Sequence, residues 1–249
     1  MVRRAGFAID TYSATLNIGE LCGDTFVLLF TNRIESWSVL TLIPSAIVII
    51  YIYIYQWQKV RSIWRFVGTH YLDDFDFFFQ GGEDLYVLPQ NLRRYLATAV
   101  DDPTRDDFFG GRRFQQSEHV FFNSGGAGYA LSQATLKKFV TAGLDHPKCF
   151  PHSHTATEDV MIARCLKEVF NIGIVDTRDA TGRERFHPFS PGSHYFWTPS
   201  KGDWYVTYNK LWPPKLKEEC CAPDSVSFHY MKKPAMVRHI HALLYFCDK

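Results

Sequence analysis

The sequence predicts an α/β layered domain, and three observations carry that reading. Short apolar and aromatic runs suited to strands alternate with segments whose apolar residues recur every three or four positions. A hydrophobic fraction of 46% over 249 residues is enough to bury a large core, which excludes a disordered or fibrous protein. No repeat, low-complexity tract or linker divides the chain, so residues 1–249 read as one domain, of which residues 1–60 are atypical or incomplete.

The elements follow in order. Asp24 to Thr31 is a short apolar run read as a buried strand. Between Tyr55 and Tyr71, the spacing of Trp57, Val60, Ile63, Trp64, Val67 and Tyr71 predicts an amphipathic helix. Phe75 to Phe79 reads as a buried strand ending at Gly81-Gly82-Glu83-Asp84, and Leu85 to Leu88 as a second, short one. Pro89 suits the first turn of a helix running through Leu96. Ser132 is placed to cap a helix to about Ala142. Thr157 is placed to cap another to about Phe170, with Glu158 and Asp159 in its first turn.

The N-terminus carries two arginines but no long apolar run, a poor signal peptide. Val39 to Tyr55 is free of charge, and at ~1.5 Å per residue a helix of that length only just crosses a bilayer core. Pro44 interrupts it, and its β-branched and aromatic residues suit strands. A membrane span, one or two buried strands, and a gene-prediction error all remain open for this run. With 27 Lys plus Arg against 26 Asp plus Glu, the net charge of +1 argues against a nucleic-acid binder that works by bulk charge. The six cysteines show no Cys-x₂-Cys spacing, which disfavours zinc. Cys220 and Cys221 are adjacent, where a mutual bond is strained, so each is expected to pair elsewhere, with Cys22 and Cys247 as the remaining candidates. Six reduced thiols are the other reading.

Several groups carry chemistry. Glu83 and Asp84 lie just after a strand, where paired carboxylates can hold a hard divalent cation; taken alone they read as a solvated turn. Ser124 to Tyr129 is a glycine-rich strand-to-helix turn that fits neither a dinucleotide fingerprint nor a P-loop. Arg112 and Arg113 face either substrate or solvent. Trp204, Tyr205, Tyr208 and Trp212 form an aromatic group before Pro213-Pro214, either a sugar-stacking surface or a core patch.

The blocks YLDDFDFFFQGGEDLYVLPQNLRRYL (71–96), FFGGRRF (108–114), NSGGAGYALS (123–132), TEDVMIARCL (157–166), RFHPF (185–189) and CCAPDSVSFHY (220–230) keep order and spacing over about 175 residues. Together they resemble the fringe-like β1,3-glycosyltransferase family, most closely its core 1 β1,3-galactosyltransferase branch. The resemblance implies a GT-A-type nucleotide-sugar transferase fold with a mixed central sheet flanked by helices. It implies an inverting, Mn²⁺-dependent β1,3-galactosyltransferase that moves a hexose from a UDP-sugar to a glycoprotein acceptor such as Ser/Thr-linked GalNAc.

Residue by residue, the family's acidic motif falls on Gly82-Glu83-Asp84, so its first Asp is absent and its second is Glu. Asp84 then makes the direct metal contact, with Glu83 beside it, and His229 of Phe228-His229-Tyr230 is the other metal ligand. Asp159 matches the catalytic base, with Glu158 its partner; helix capping is the alternative reading. Gly125 and Gly126 line the floor between donor and acceptor. Arg113, Trp204, Tyr205 and Tyr208 are the remaining donor- and acceptor-side candidates. The family bridges Cys149 to Cys165 and works in the Golgi or ER lumen as a type II membrane protein. No anchor, stem or first uridine-binding strand is evident here beyond Tyr12 to Cys22, so the chain reads as truncated at its start. A homodimer is left open. The altered acidic motif favours the competing expectation, a non-catalytic relative acting as a chaperone or carbohydrate binder.

Overall fold

The computed structural model describes residues 25–30, 37–41 and 56–245. The Tyr12–Cys22 remnant, most of the 39–55 run, Cys22 and Cys247 lie outside them. In chain order the strands and helices are β1 (Thr25–Phe30), β2 (Trp37–Thr41), α1 (Gln56–His70), β3 (Phe77–Gly82), β4 (Tyr86–Val87), α2 (Pro89–Ala99), β5 (Phe109–Gly111), β6 (Arg113–Ser117), β7 (Val120–Asn123) and β8 (Tyr129–Ser132). There follow α3 (Gln133–Lys138), α4 (Glu158–Phe170), β9 (Phe186–His187), α5 (Pro191–Phe196), α6 (Trp204–Tyr208), β10 (Ser227–Phe228) and α7 (Pro234–Tyr245). Among the described residues no helix is long and apolar enough to cross a membrane.

The main sheet has the order β2-β1-β3-β8-β5. Its strands alternate faces with a period of two, and that alternation builds the layers. Phe78 of β3 and Leu131 of β8 point to a core shared with Trp57, Val60, Trp64 and Val67 of α1 and Ile162 and Leu166 of α4. Phe77 and Phe79 of β3 and Ala130 of β8 point the other way, onto Leu92 and Leu96 of α2. The helical spacing read for α1 therefore corresponds to its buried stripe.

The central sheet was expected to be mixed, yet its described pairs are all antiparallel. The connection from β3 to β8 carries β4, α2, β5 and the β6–β7 pair, and β8 returns against the direction of β3. Among the described residues, parallel pairing occurs between β9 and β10 in a second sheet, β4-β10-β9, and in two isolated bridges, Gly110 with Val175 and Glu184 with Cys221.

Three local expectations change. Ser132 caps α3 by accepting from the Thr135 N–H, but regular helix stops at Lys138 and continues as a wider π turn over Phe139–Gly143. Thr157 stands at the N-cap of α4 without capping it; its N–H and hydroxyl turn to the Thr155 hydroxyl, and Asp159 Oδ1 accepts the Val160 N–H instead. The glycine-rich turn joins β7 to β8, strand to strand, because Tyr129 already pairs in the sheet.

Cys149 and Cys165 are bonded, tying the 3₁₀ turn Pro147–Cys149 to α4. Cys220 and Cys221 are bonded to each other, contrary to the expectation that each pairs elsewhere. Their α-carbons are 3.7 Å apart, so the two sulfurs reach each other without help from any other segment. Replacing Cys149 and Cys165 together by alanine is expected to lower the unfolding free energy by about 3 kcal/mol, the chain-entropy value for a loop near that size. Urea unfolding reads this as a lower extrapolated free energy, with a slope that rises as the uncrosslinked denatured chain expands, and an unchanged free energy would contradict a closed bond.

Candidate functional site

The site is organised by the turn Ser124–Gly128 between β7 and β8. The Gly128 N–H donates to the Gly125 carbonyl (3.1 Å), and Gly128 itself has φ +77°, a conformation that favours glycine. Two glycines face two different sets of side chains. A Cβ on Gly126 would lie 2.5 Å from Cε1 and 2.6 Å from Nδ1 of His229. A Cβ on Gly125 would collide with Oε1 of Glu158 and touch Cβ of Asp159 at 3.4 Å. Adjacent residues of one turn thus lean on the two halves of the site.

The first half is built by two very short strands. Phe228 of β10 pairs antiparallel with Tyr86 of β4, which sets the residues after β10 opposite those before β4. Ser227 Oγ donates to the Ala127 carbonyl (2.6 Å), fastening β10 to the glycine turn. Asp84 and His229, 145 positions apart in sequence, then meet with Oδ1 and Nε2 3.0 Å apart. The His229 N–H donates to the His187 carbonyl (3.0 Å), and His229 Nδ1 lies 3.3 Å from the Pro188 carbonyl. With Nδ1 carrying the proton toward Pro188, Nε2 is the nitrogen left for a ligand. Burial pushes the Asp84 carboxyl up, but the hydrogen bond to His229 and the charges of His229 and Lys232 outweigh it and hold the group below its ordinary range. Glu83 is exposed at the edge of this pair.

Among the described residues, no three His, Cys, Asp or Glu side chains gather closely enough to hold a metal by themselves. A carboxylate and an imidazole facing each other fit a divalent cation whose remaining positions are filled by phosphate oxygens and water, the arrangement small hard cations favour with phosphorylated substrates.

The second half sits at the start of α4. Asp159 Oδ2 accepts the Gly125 N–H (3.0 Å) and Oδ1 accepts the Val160 N–H (2.9 Å). Burial raises the Asp159 carboxyl and these backbone bonds only partly offset it. Glu158 is buried, and its Oε2 accepts the Tyr129 hydroxyl (3.0 Å). Burial, then the Asp159 charge, pushes its carboxyl up to about 8.

The aromatic group divides. Tyr205 is 1% exposed and its hydroxyl accepts from Arg112 (3.0 Å), whose guanidinium also pairs with buried Glu184. Arg112 and Tyr205 are thus struts of the core. Arg113 pairs with Asp176 (2.7 Å) and lies 4.3 Å over the Trp212 ring. Tyr208 is half-buried against Phe114 and Phe122. Trp204 is 49% exposed, and it reaches His229 through a run of rings: Trp204 on Phe189 (5.9 Å), Phe189 on Tyr230 (6.2 Å), Tyr230 on His229 (4.0 Å).

Sequence reasoning missed Tyr129, Pro188 and Lys232. Tyr129 stands inside a motif already singled out, but nothing in the sequence tells its hydroxyl from a core ring's. Pro188 acts through a backbone carbonyl, which no residue type signals.

The Glu158 environment has a consequence for stability. The folded chain keeps a proton that the unfolded chain releases in the ordinary carboxylate range, so this contribution is full below that range and lost as pH rises through about 8. Glu158→Gln keeps an acceptor for Tyr129 without the charge. Its unfolding free energy is expected to fall less steeply between about pH 4.5 and 8 than that of the parent protein. Parallel profiles in urea titrations across that window would contradict a buried, proton-holding Glu158.

No family model matches the chain. It is 34% identical over 182 residues to the glycoprotein-N-acetylgalactosamine 3-beta-galactosyltransferase 1 of Xenopus laevis, a match covering 72% of this chain and 48% of that protein. The chain therefore spans about half the length of this curated relative. Read with the motif blocks between residues 71 and 230, this similarity places the chain in the core 1 β1,3-galactosyltransferase-like family.

Proposed function

We propose that the chain is the catalytic part of an inverting β1,3-galactosyltransferase of GT-A type, transferring a hexose from a UDP-sugar to a glycoprotein GalNAc-type acceptor. The observation that carries this reading is the convergence of Asp84 with His229 and of Glu158 with Asp159 on adjacent residues of one glycine turn. The Xenopus relative's name supports the substrate class. By the same reading the protein works in the Golgi lumen.

Asp84 and His229 would hold Mn²⁺, whose chemistry when bound is to offset the charge of the diphosphate leaving group. Their orientation is set by the chain itself: Pro188 fixes the His229 ring and the β4–β10 pairing fixes Asp84. Asp159 takes the proton of the acceptor hydroxyl, whose oxygen attacks the anomeric carbon from the face opposite the leaving diphosphate. Its raised basicity suits that task, and its two backbone hydrogen bonds aim it. Glu158, protonated beside it, avoids a second buried charge. Gly125 and Gly126 keep the floor between donor and acceptor thin. Trp204, on the ring path leading from His229, is the exposed face for an acceptor sugar to stack on.

The direct experiment is a UDP-sugar panel, with and without Mn²⁺, against a GalNAc-bearing glycopeptide. UDP-galactose is expected to give Mn²⁺-dependent transfer. Binding of glycopeptide with no transfer from any donor would favour the non-catalytic carbohydrate binder, a reading that the exposed Glu83 and the two-donor metal pair keep in play. Asp159→Asn is expected to lower kcat by at least ~10²-fold while UDP and Mn²⁺ still bind, as loss of a general base does. Asp84→Asn and His229→Ala are each expected to abolish the Mn²⁺-dependent transfer with the fold intact by circular dichroism. Full transfer by Asp159→Asn would remove it as the base.

A further inference from the structure

The metal pair has a third neighbour that is neither a metal ligand nor a base. Lys232 Nζ lies 3.7 Å from Asp84 Oδ2, the oxygen that does not face His229, and 5.1 Å from the centre of the Tyr230 ring. Its position follows from main-chain geometry. Tyr230 has φ +57°, which turns the chain back after β10, and the Met231 N–H then donates to the Asp84 carbonyl (2.8 Å). Met231 is 6% exposed and packs with Leu88 and Phe228, which anchors the turn. The next residue, Lys232, is therefore delivered beside Asp84 whatever its side chain does, and that side chain is 66% exposed and free to pivot on its flexible stem.

We propose that Lys232 is a built-in diphosphate-binding cation that neutralises Asp84 in the empty site and transfers its charge to the donor's diphosphate when metal and nucleotide bind. This rests on the UDP-sugar reading above. An ammonium and a divalent cation compete for the same carboxylate, so in the absence of nucleotide Lys232 opposes metal binding. A diphosphate brings negative charge to both cations, and the competition becomes cooperation. Metal and nucleotide then bind better together than separately, a coupling of one site's occupancy to the other's. Lys233, also exposed but with no such neighbour among the contacts of Asp84, is the internal control.

The test measures binding rather than turnover, on the full chain. Mn²⁺ alone is titrated by electron paramagnetic resonance, and UDP by calorimetry at saturating Mn²⁺. Lys232→Gln is expected to bind Mn²⁺ alone about threefold tighter, the scale of an exposed ion pair released. The same variant is expected to bind UDP with Mn²⁺ about tenfold weaker, the scale of one charge-assisted hydrogen bond. Lys232→Arg restores UDP binding, Lys233→Gln matches the parent in both titrations, and thermal unfolding is unmoved in all three. If the parent binds UDP with Mn²⁺ and Lys232→Gln does the same with equal affinity, the role of Lys232 fails while the transferase reading stands. Mn²⁺ binding weakened by Lys232→Gln would also overturn it, since the lysine would then be supporting the metal site rather than opposing metal. If the parent binds neither Mn²⁺ nor UDP, both readings fall together.

Discussion

The site depends on a close approach that only glycine permits. Between β7 and β8 the backbone passes with one glycine against the His229 imidazole and the next against Glu158 and Asp159. A side chain at either would have to displace a functional group, because the neighbours are held from behind: His229 by Pro188 and His187, Glu158 by Tyr129, Asp159 by the Gly125 and Val160 N–H groups. The layers of the domain serve this contact. β8 fixes one end of the turn in the main sheet, α4 brings its acidic first turn to one side, and the small β4-β10-β9 sheet brings His229 to the other.

The two halves are electrostatically unlike, and the difference follows from what surrounds each carboxyl. Asp84 has an imidazole and an ammonium beside it, which hold its carboxyl below the ordinary range despite burial. Glu158 and Asp159 share a buried helix start where burial outweighs both the Lys59 charge and the backbone hydrogen bonds, so both rise. Under the transferase reading proposed above, environments that push carboxyl groups apart in this way suit one to holding a cation and another to taking a proton. Lys232 stands exposed over the Tyr230 ring, and Trp204 stands exposed against Phe189, which stacks on the same ring.

Much of the fold was legible in the sequence because periodicity records burial. The spacing of Trp57, Val60, Ile63, Trp64 and Val67 matches the buried stripe of α1, and Ser132 caps α3 as read. The meeting of Asp84 with His229 was legible only through the motif resemblance. It is made by strands of two residues each, too short to show any period, and by a pairing 145 positions apart. Side-chain commitment was not legible either. Arg113 and Tyr205 carry the right chemistry for substrate, yet Asp176, Trp212 and Arg112 occupy them, partners that only the tertiary fold brings near. The bond between Cys220 and Cys221 was misread because adjacency alone says nothing about which other thiols are within reach.

The glycine contact is tested most directly by Mn²⁺ affinity in the presence of UDP, measured for Gly126→Ala beside Gly192→Ala, a position where an added Cβ meets no atom within 4 Å. The expected result is that Gly126→Ala loses Mn²⁺ affinity by at least ~tenfold, equivalent to about 1.4 kcal/mol, with its unfolding midpoint little changed, while Gly192→Ala matches the parent. Equal affinity in Gly126→Ala would contradict the claim that His229 is held in place across a bare backbone.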